Sequence, residues 1–111
     1  MVLYVMKWDI LPDKEEAYLG WFEGAVQRTL AVPGVVEFRA YRPTNGSSHQ
    51  VVATYEFTDL AAWSAFYAHE DIQKAWEELK TFTTNLSTEL WGPSPDVPEP
   101  IQPEEDFLMI I

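Results

Sequence analysis

Residues 35–57, VVEFRAYRPTNGSSHQVVATYEF, decide the fold, because they contain two alternating segments joined by a turn. Segments 35–42 and 50–57 alternate apolar and polar side chains, which is the pattern of half-buried β-strands. In the connection, Asn45-Gly46 can supply the positive backbone angles that a tight turn requires. The stretch therefore predicts a β-hairpin near the middle of the chain.

A strand and a helix are predicted before the hairpin. Residues 2–10, VLYVMKWDI, are rich in β-branched and aromatic side chains and are followed by Leu11-Pro12, which indicates a strand that ends there. Between residues 13 and 31 apolar side chains recur at three-and-four spacing, so one face of a helix is apolar. Asp13 and Glu16 have the spacing of a capping box at the helix start. Pro33-Gly34 ends the helix.

The second helix is predicted to be broken. Asp59 is a good N-cap, and residues 63–76, WSAFYAHEDIQKAW, keep helical spacing at both ends but lose phase in the middle. The helix must bend or restart between His69 and Asp71, with Asp71 as the new cap. Residues 84–91, TNLSTELW, then read as a fourth strand before Gly92-Pro93.

The resulting order, β-α-β-β-α-β, is the ferredoxin-like α+β plan over residues 1–92, an antiparallel sheet with its helices on one face. Alternation places Val36, Phe38 and Ala40 towards the helices. The opposite face is mixed and holds apolar and charged side chains: Leu3, Val5, Val35, Tyr41, Val52 and Trp91 with Lys7, Glu37, Arg39, Glu56 and Glu89. Such a face either is solvated or packs on a second copy across a two-fold axis, enclosing a partly polar cavity in a homodimer.

Residues 93–111 are predicted to be a proline-rich acidic tail with an apolar tip. The stretch 92–106, GPSPDVPEPIQPEED, has five prolines and no basic residue, which is typical of an extended spacer. The last five residues, FLMII, are expected to dock, on the neighbouring subunit in our interpretation. The alternative is a frayed terminus.

Composition excludes several classes of function. The 111 residues carry 7 basic against 18 acidic side chains, a net charge of −11, which disfavours nucleic acid and anionic membrane surfaces as partners. The chain has no cysteine, and no apolar run is long enough to span a membrane. We expect one compact domain in the cytoplasm.

The order and spacing of these segments resemble the dimeric α+β barrel superfamily and, within it, the antibiotic-biosynthesis-monooxygenase-like proteins. The resemblance rests on strand one, PGVVEFRAYR (33–42), VVATYEFTDLAAW (51–63) and FYAHEDIQKAWEEL (66–79), and covers about residues 2–91. It implies two subunits packed sheet to sheet, with a pocket between each sheet and its helices near the helix break. Members include cofactor-independent oxygenases of polyketide quinols, haem-degrading enzymes, and isomerases or lyases.

The resemblance also bears on cofactors. The haem-degrading branch has an asparagine, a tryptophan and a histidine at places that hold Lys7, Tyr67 and Glu77 here, so neither haem nor another cofactor is expected. The quinol-oxygenase branch often has a tryptophan, an asparagine and a histidine in an aromatic pocket, roles that Trp63, Asn85 and His69 could fill. Two histidines without a second cluster do not make a metal site, and His49, in a Gly-Ser loop, is expected to be exposed.

The candidate catalytic residues are His69, Tyr67 and Asn85. His69 could act as a base, because its ordinary pKa lies near neutral pH, or it could only cap the bent helix. Tyr67 or Asn85 could hold an oxyanion. Ligand-pocket residues are expected at the helix break and at the end of strand four: Trp63, Phe66 and Trp91.

Three classes of function follow. The first is a monooxygenase-like barrel that oxidises a small aromatic or polyketide-type molecule without a cofactor. The second is a non-catalytic small-molecule-binding or stress-associated barrel, and the third is a structural interaction module. A defined pocket favours the first two, whereas a space filled by Trp and Tyr side chains favours the third.

Overall fold

The computed structural model describes residues 1–46 and 49–103. Its elements, in chain order, are β1 (Val2–Ile10), a 3₁₀-helical turn (Pro12–Lys14), α1 (Glu15–Leu30), β2 (Glu37–Tyr41), β3 (Val51–Phe57), α2 (Leu60–Ala68), α3 (Glu70–Phe82) and β4 (Thr83–Trp91). This order confirms the predicted β-α-β-β-α-β arrangement with the second helix in two pieces.

The strands form one antiparallel sheet in the order β2-β3-β1-β4, so β2 and β4 are the edges. The register joins Tyr4 to Tyr55 on one side and to Leu90 on the other. The helices cover one face of this sheet, as a ferredoxin-like fold requires. None of the helices in residues 1–46 and 49–103 has the length and apolarity needed to cross a membrane.

The core lies between the sheet and the helices. Alternate residues of β1 and β3 point into it, and each fully buried large apolar side chain contributes about 1.5–3 kcal/mol. The sheet contributes Tyr4, Met6, Trp8, Ile10, Val51, Ala53, Tyr55 and Phe57 to the buried cluster. The helices and the turn after α1 contribute Tyr18, Val32, Phe66, Ile72 and Leu79. The predicted helix-facing side of both strands is therefore confirmed.

The predicted alternation was wrong at the start of β2. Pairing begins at Glu37, opposite Glu56, and residues 35–36 precede the strand. As a result Val35 packs against the core, although it was assigned to the open face, and Val36 is 52% exposed, although it was assigned to the core. Strand alternation does not apply to residues outside the ladder.

The caps of the helices were predicted in part. Asp59 Oδ1 accepts the Ala62 N–H at 2.8 Å, which confirms it as the N-cap of α2. The Asp13–Glu16 capping box was wrong, because Pro12 opens a 3₁₀-helical turn that contains Asp13, and α1 starts without a side-chain cap. The cap of α3 is His69 and not Asp71.

The tail leaves the sheet after Trp91. Residues 92–103 are exposed, and the pairing within this stretch is a single bridge between Ser94 and Val97. Five prolines over residues 93–103 fit the predicted spacer. The apolar tip, residues 107–111, lies outside the described residues, so its docking stays a prediction.

A charged contact joins α1 to α3. The Arg28 guanidinium donates to both carboxylate oxygens of Glu78, at 2.7 and 3.3 Å, and the Trp21 indole N–H donates to Glu78 Oε1 at 2.7 Å. Hydrogen bonds from Arg28 first, and from Trp21 second, lower the pKa of Glu78 to about 2. This carboxylate therefore stays ionised to low pH and holds the two helices side by side.

Glu78→Gln should lower the free energy of unfolding at pH 7 by about 1 kcal/mol or less, because the pair is partly exposed and screened. Since the folded-state pKa lies below the ordinary value of 4.5, the contribution is complete above that value and is lost as the pH falls through about 2. Urea unfolding of both proteins from pH 7 to pH 2 measures it. Glu77→Gln, next to it and paired only with Lys80 among the described contacts, is the control. A deficit that is unchanged at pH 2 would contradict this assignment.

Candidate functional site

A groove runs between the helix break and the edge strand β4. It consists of two adjoining cavities of ≈ 330 and ≈ 230 Å³ that share Tyr4, Tyr67 and Thr88 as a common wall. Side chains from both helix pieces and from β1 and β4 complete the walls: Trp63, Glu89 and Leu90 in the larger cavity, and Met6, Gln73, Trp76, Glu77, Lys80 and Leu86 in the smaller. We call this space the helix-break groove.

The break itself is built by His69. Its backbone is extended (φ −66°, ψ 135°), so the helical path stops after Ala68 and restarts at Glu70. His69 Nδ1 accepts the Asp71 N–H at 3.1 Å, and the Gln73 side-chain amide donates to the Tyr67 carbonyl at 2.6 Å. These two hydrogen bonds satisfy backbone groups that the break would leave without partners, and they fix Tyr67 at the end of α2.

Three aromatic rings form the floor of the larger cavity. The Trp63 and Tyr67 rings lie 5.3 Å apart at 31°, and Tyr4 contacts them at 5.8 and 6.0 Å. Tyr4 is buried, whereas Tyr67 is 38% exposed. Burial raises the pKa of Tyr4 against the lowering effect of its hydrogen bond with Thr88. Tyr4 is therefore a neutral phenol at physiological pH and can donate a proton in a hydrogen bond.

Two indole N–H groups at the groove lack acceptors. Among the described residues, Trp63 Nε1 and Trp76 Nε1 are buried without a hydrogen-bond partner. The other three tryptophans have acceptors for their indole N–H groups. Trp8 donates to Tyr18, Trp21 donates to Glu78, and Trp91 donates to Glu89. A buried donor without an acceptor costs about 1–3 kcal/mol, so two of them on tryptophans that line one groove are a feature that needs a reason.

Of the six predicted site residues, the structure brings only Trp63 and Tyr67 to the groove. Phe66 is 1% exposed and packs against Tyr55 and Phe57 in the core. His69 lines neither cavity of the groove and serves as the cap described above. Because Nδ1 accepts the Asp71 N–H, the proton of the neutral ring is on Nε2, and the ring can accept a proton only by giving up the cap.

Asn85 lies on the opposite side of the sheet from the groove. The β1–β4 register shifts between Lys7 and Asp9, and Asn85 occupies this bulge with a φ of +55°, a conformation that asparagine tolerates. Its side-chain amide donates to Asp9 Oδ2 at 2.9 Å, which lowers the pKa of Asp9. His49 Nε2 lies 3.1 Å from the Asn85 carbonyl oxygen, so His49 is half-buried and the prediction that it is exposed was wrong.

Trp91 also lies on the open face of the sheet. Its indole donates to Glu89 at 3.1 Å, Lys7 Nζ stands 5.9 Å from its ring centroid, and Lys7 pairs with Glu89 at 3.1 Å. A second, shallow cavity of ≈ 400 Å³ lies on this face, between Trp91 and the exposed Tyr41. Its lining confirms the predicted mixture of apolar and charged side chains: Leu3, Val5, Val52 and Thr54 with Glu37, Arg39 and Glu56.

Sequence reasoning did not identify Tyr4, Thr88 and Trp76 as groove residues. They do face the helices, but β4 is an edge strand, and the broken helix does not cover it completely. The signal was available, since the Tyr4 and Thr88 hydroxyls are polar groups on an otherwise apolar face. Within residues 1–46 and 49–103, no three His, Asp or Glu side chains gather as metal ligands do.

Comparison with known proteins gives a matching family and similar folds. The sequence model of the family described as "Antibiotic biosynthesis monooxygenase" matches residues 1–78. No curated protein sequence matches the chain.

Solved structures share the fold at low sequence identity. A mutant form of SnoaB, a cofactor-independent oxygenase from Streptomyces nogalater, superposes with a TM-score of 0.69 at 19% identity over 88% of this chain and 97% of that one. A dabb family protein with a ferredoxin-like fold from Mesorhizobium loti gives 0.74 at 14% identity over 84% and 96%. A structure of an antibiotic biosynthesis monooxygenase gives 0.69 at 18% identity over 86% and 100%.

His69→Ala should lower the free energy of unfolding by about 1 kcal/mol, because α3 loses its N-cap, whereas His69→Asn should cost at most a few tenths. Asparagine restores the cap without an imidazole, so the pair separates capping from proton transfer. Thermal and urea unfolding of the three proteins measure the difference. Equal losses in both variants would show that the ring matters for something other than its hydrogen bond to Asp71.

Proposed function

We propose that this chain, which belongs to the antibiotic biosynthesis monooxygenase family, binds a small aromatic or polyketide-type molecule in the helix-break groove and oxidises it with dioxygen without a cofactor. The observation that carries the proposal is the pair of buried indole N–H groups, on Trp63 and Trp76, that have no acceptor in the described part of the chain. A ligand that brings carbonyl or phenolate oxygens would supply the missing acceptors.

The aromatic wall supports a flat ligand. Tyr67 is the exposed member of the Tyr4–Trp63–Tyr67 cluster, and its ring is tilted by 31° relative to the Trp63 ring. A movement of the Tyr67 ring away from Trp63 would leave an aromatic surface for a flat ligand. The groove therefore offers stacking from the rings and donors from the indoles and from the hydroxyls of Tyr4 and Tyr67, which suits a phenol, quinol or enol.

The proposed reaction takes its electrons from the substrate. An enol or phenol with an acidic CH₂ group loses a proton to solvent, and the resulting carbanion transfers one electron to O₂. Recombination of the two radicals forms a C–O bond, protonation gives a hydroperoxide, and loss of water leaves a ketone. The balance is R₂CH₂ + O₂ → R₂C=O + H₂O, so no other reductant is needed.

The protein would assist by holding the negative charge of the ionised substrate. Tyr67 donates to the oxyanion from the rim, and the Trp63 and Trp76 N–H groups donate from below. His69 would assist by capping α3 and so holding the groove in shape, because its Nδ1 already accepts the Asp71 N–H. Asn85 contributes on the far side of the sheet by fixing the β4 bulge through Asp9.

Tyr67→Phe should lower kcat/KM by roughly 100-fold with any substrate that consumes O₂, because the oxyanion loses a donor. Oxygen uptake with a panel of anthrones, quinols and naphthols measures it. Tyr41→Phe, an equal change at an exposed tyrosine on the other face of the sheet, is the control and should keep full turnover. Full turnover in Tyr67→Phe would contradict the oxyanion role.

One observation favours the alternative of a non-catalytic binding barrel. The Glu77 carboxylate in the groove wall is paired with Lys80, the Glu89 carboxylate pairs with Lys7 on the open face of the sheet, and His69 is engaged as a cap. A groove of this kind binds a ligand without removing a proton from it. Binding of a panel compound without oxygen uptake would select this alternative.

We also propose that the open sheet face packs on a second copy of the chain. Leu3, Tyr41, Val52 and Trp91 leave apolar surface around a ≈ 400 Å³ hollow that no helix covers in the described residues. A self-complementary contact across a two-fold axis is the commonest way to bury such a face. The tail after Trp91 starts at the same face, so residues 104–111 could reach the partner.

Trp91→Glu should shift the protein from dimer to monomer, because it places a charge in the proposed interface. Leu19→Glu, at an exposed position on α1, makes the same kind of change outside it and should leave the dimer intact. Sedimentation velocity over a concentration series measures both. A monomeric parent protein would exclude the dimer.

Removal of residues 104–111 should weaken the dimer in the same sedimentation assay and should lower the melting temperature in a thermal unfolding measurement. A truncated chain with unchanged dimer affinity and melting temperature would exclude the docked tail.

A further inference from the structure

A small interior cavity lies behind the helix-break groove. It lies between the sheet and the helix pair α1 and α3 and is partly open, and its volume is ≈ 20 Å³, enough for one molecule of about the size of water. Its walls are largely hydrocarbon and aromatic, with Ala25 and Val26 on α1, Ala75 and Leu79 on α3, and Met6 on β1.

Most polar groups in the walls are used by the protein itself, and the exception is the Trp76 indole N–H, which has no acceptor in the described part of the chain. Thr29 Oγ1 donates to the Val26 carbonyl at 2.8 Å, and the Tyr55 hydroxyl, 3.1 Å from Thr29 Oγ1, is left to donate to it. The Trp8 and Trp21 indoles donate elsewhere. A buried water needs two to four polar partners, which this lining supplies poorly, whereas a small apolar molecule needs none.

The cavity adjoins the groove. Met6 and Trp76 line both the interior cavity and the ≈ 230 Å³ part of the groove, so they form the partition between the two spaces. A molecule that leaves the interior past Trp76 arrives beside Tyr67 and Thr88, where the proposed ligand would lie. An apolar diatomic gas fits the size, the chemistry and the position of this cavity.

We propose that the interior cavity is a dioxygen-binding site that supplies the groove from the core side. The binding of the gas follows from the cavity alone, and only its role in supply depends on the oxidation proposed above. Dioxygen held there would reach the ionised substrate through the Met6–Trp76 partition, without passing through the solvent-exposed mouth of the groove.

Methyl NMR under oxygen pressure tests the site directly, because O₂ is paramagnetic and speeds the relaxation of nearby protons. In the unmodified protein, the methyl groups of Met6, Ala25, Ala75 and Leu79 should show several-fold larger enhancement than those of Ile72 and Ala53. These control residues are equally buried, at 0% and 1% exposure, but do not line the cavity. Equal enhancement of the two sets would overturn the proposal.

Ala25→Val should fill the cavity and remove the extra enhancement at Met6 and Leu79. Ala17→Val, the same change at an exposed position of the same helix, is the matched control and should leave it unchanged. Val26→Ile adds less volume and serves if Ala25→Val does not fold. Enhancement at Met6 and Leu79 that persists in a folded filled variant would contradict the assignment.

The two proposals fail in different ways. Gas binding without oxygen uptake for any substrate would leave the dioxygen site standing and remove the oxidation. If a substrate is oxidised, Ala25→Val should raise the KM for O₂ several-fold with kcat kept at saturating O₂. An unchanged KM for O₂ in that variant would overturn the role in supply.

Discussion

The extended backbone at His69 is the constraint on which the candidate site depends. The break divides the second helix into α2 and α3, and the groove lies between these two pieces and the edge strand β4. The break is stable because the His69 ring caps α3 and the Gln73 amide binds the Tyr67 carbonyl. Through these two contacts, His69, which lines neither cavity, and Gln73, which lines the smaller one, fix the backbone around the groove.

On the side of the sheet that the helices cover, buried polar groups differ in whether they have hydrogen-bond partners. Deep in the core, Tyr55 and Thr29 satisfy each other, and burial, as the main cause, raises the pKa of Tyr55 to about 12. Closer to β4, the Trp63 and Trp76 indoles have no acceptor among the described residues. This difference in hydrogen bonding is the observation on which the proposed ligand site rests.

Much of the fold was predictable because its signals are local. The hairpin, the Asp59 cap and the loss of helical phase near His69 each depend on a few neighbouring residues, and the structure has all three. The site was less predictable because it depends on how elements meet. Strand alternation alone places Asn85 on the face opposite Leu86 and Thr88, so its expected pocket role came from the resemblance and not from the strand pattern. Tyr4 becomes a groove residue only because the helices leave β4 partly uncovered. Trp63 and Tyr67 were found because the break itself was visible in the sequence.

The indole N–H resonances offer the most direct measurement of the central claim. Each of the five tryptophans gives one ¹H–¹⁵N signal, and three of these N–H groups already donate within the protein. Titration with a phenol or quinone that binds should move the Trp63 and Trp76 protons downfield, as expected for new hydrogen bonds, and should leave Trp8, Trp21 and Trp91 in place. Saturable binding that leaves the Trp63 and Trp76 signals unchanged would contradict the claim that this groove recognises its ligand through these donors.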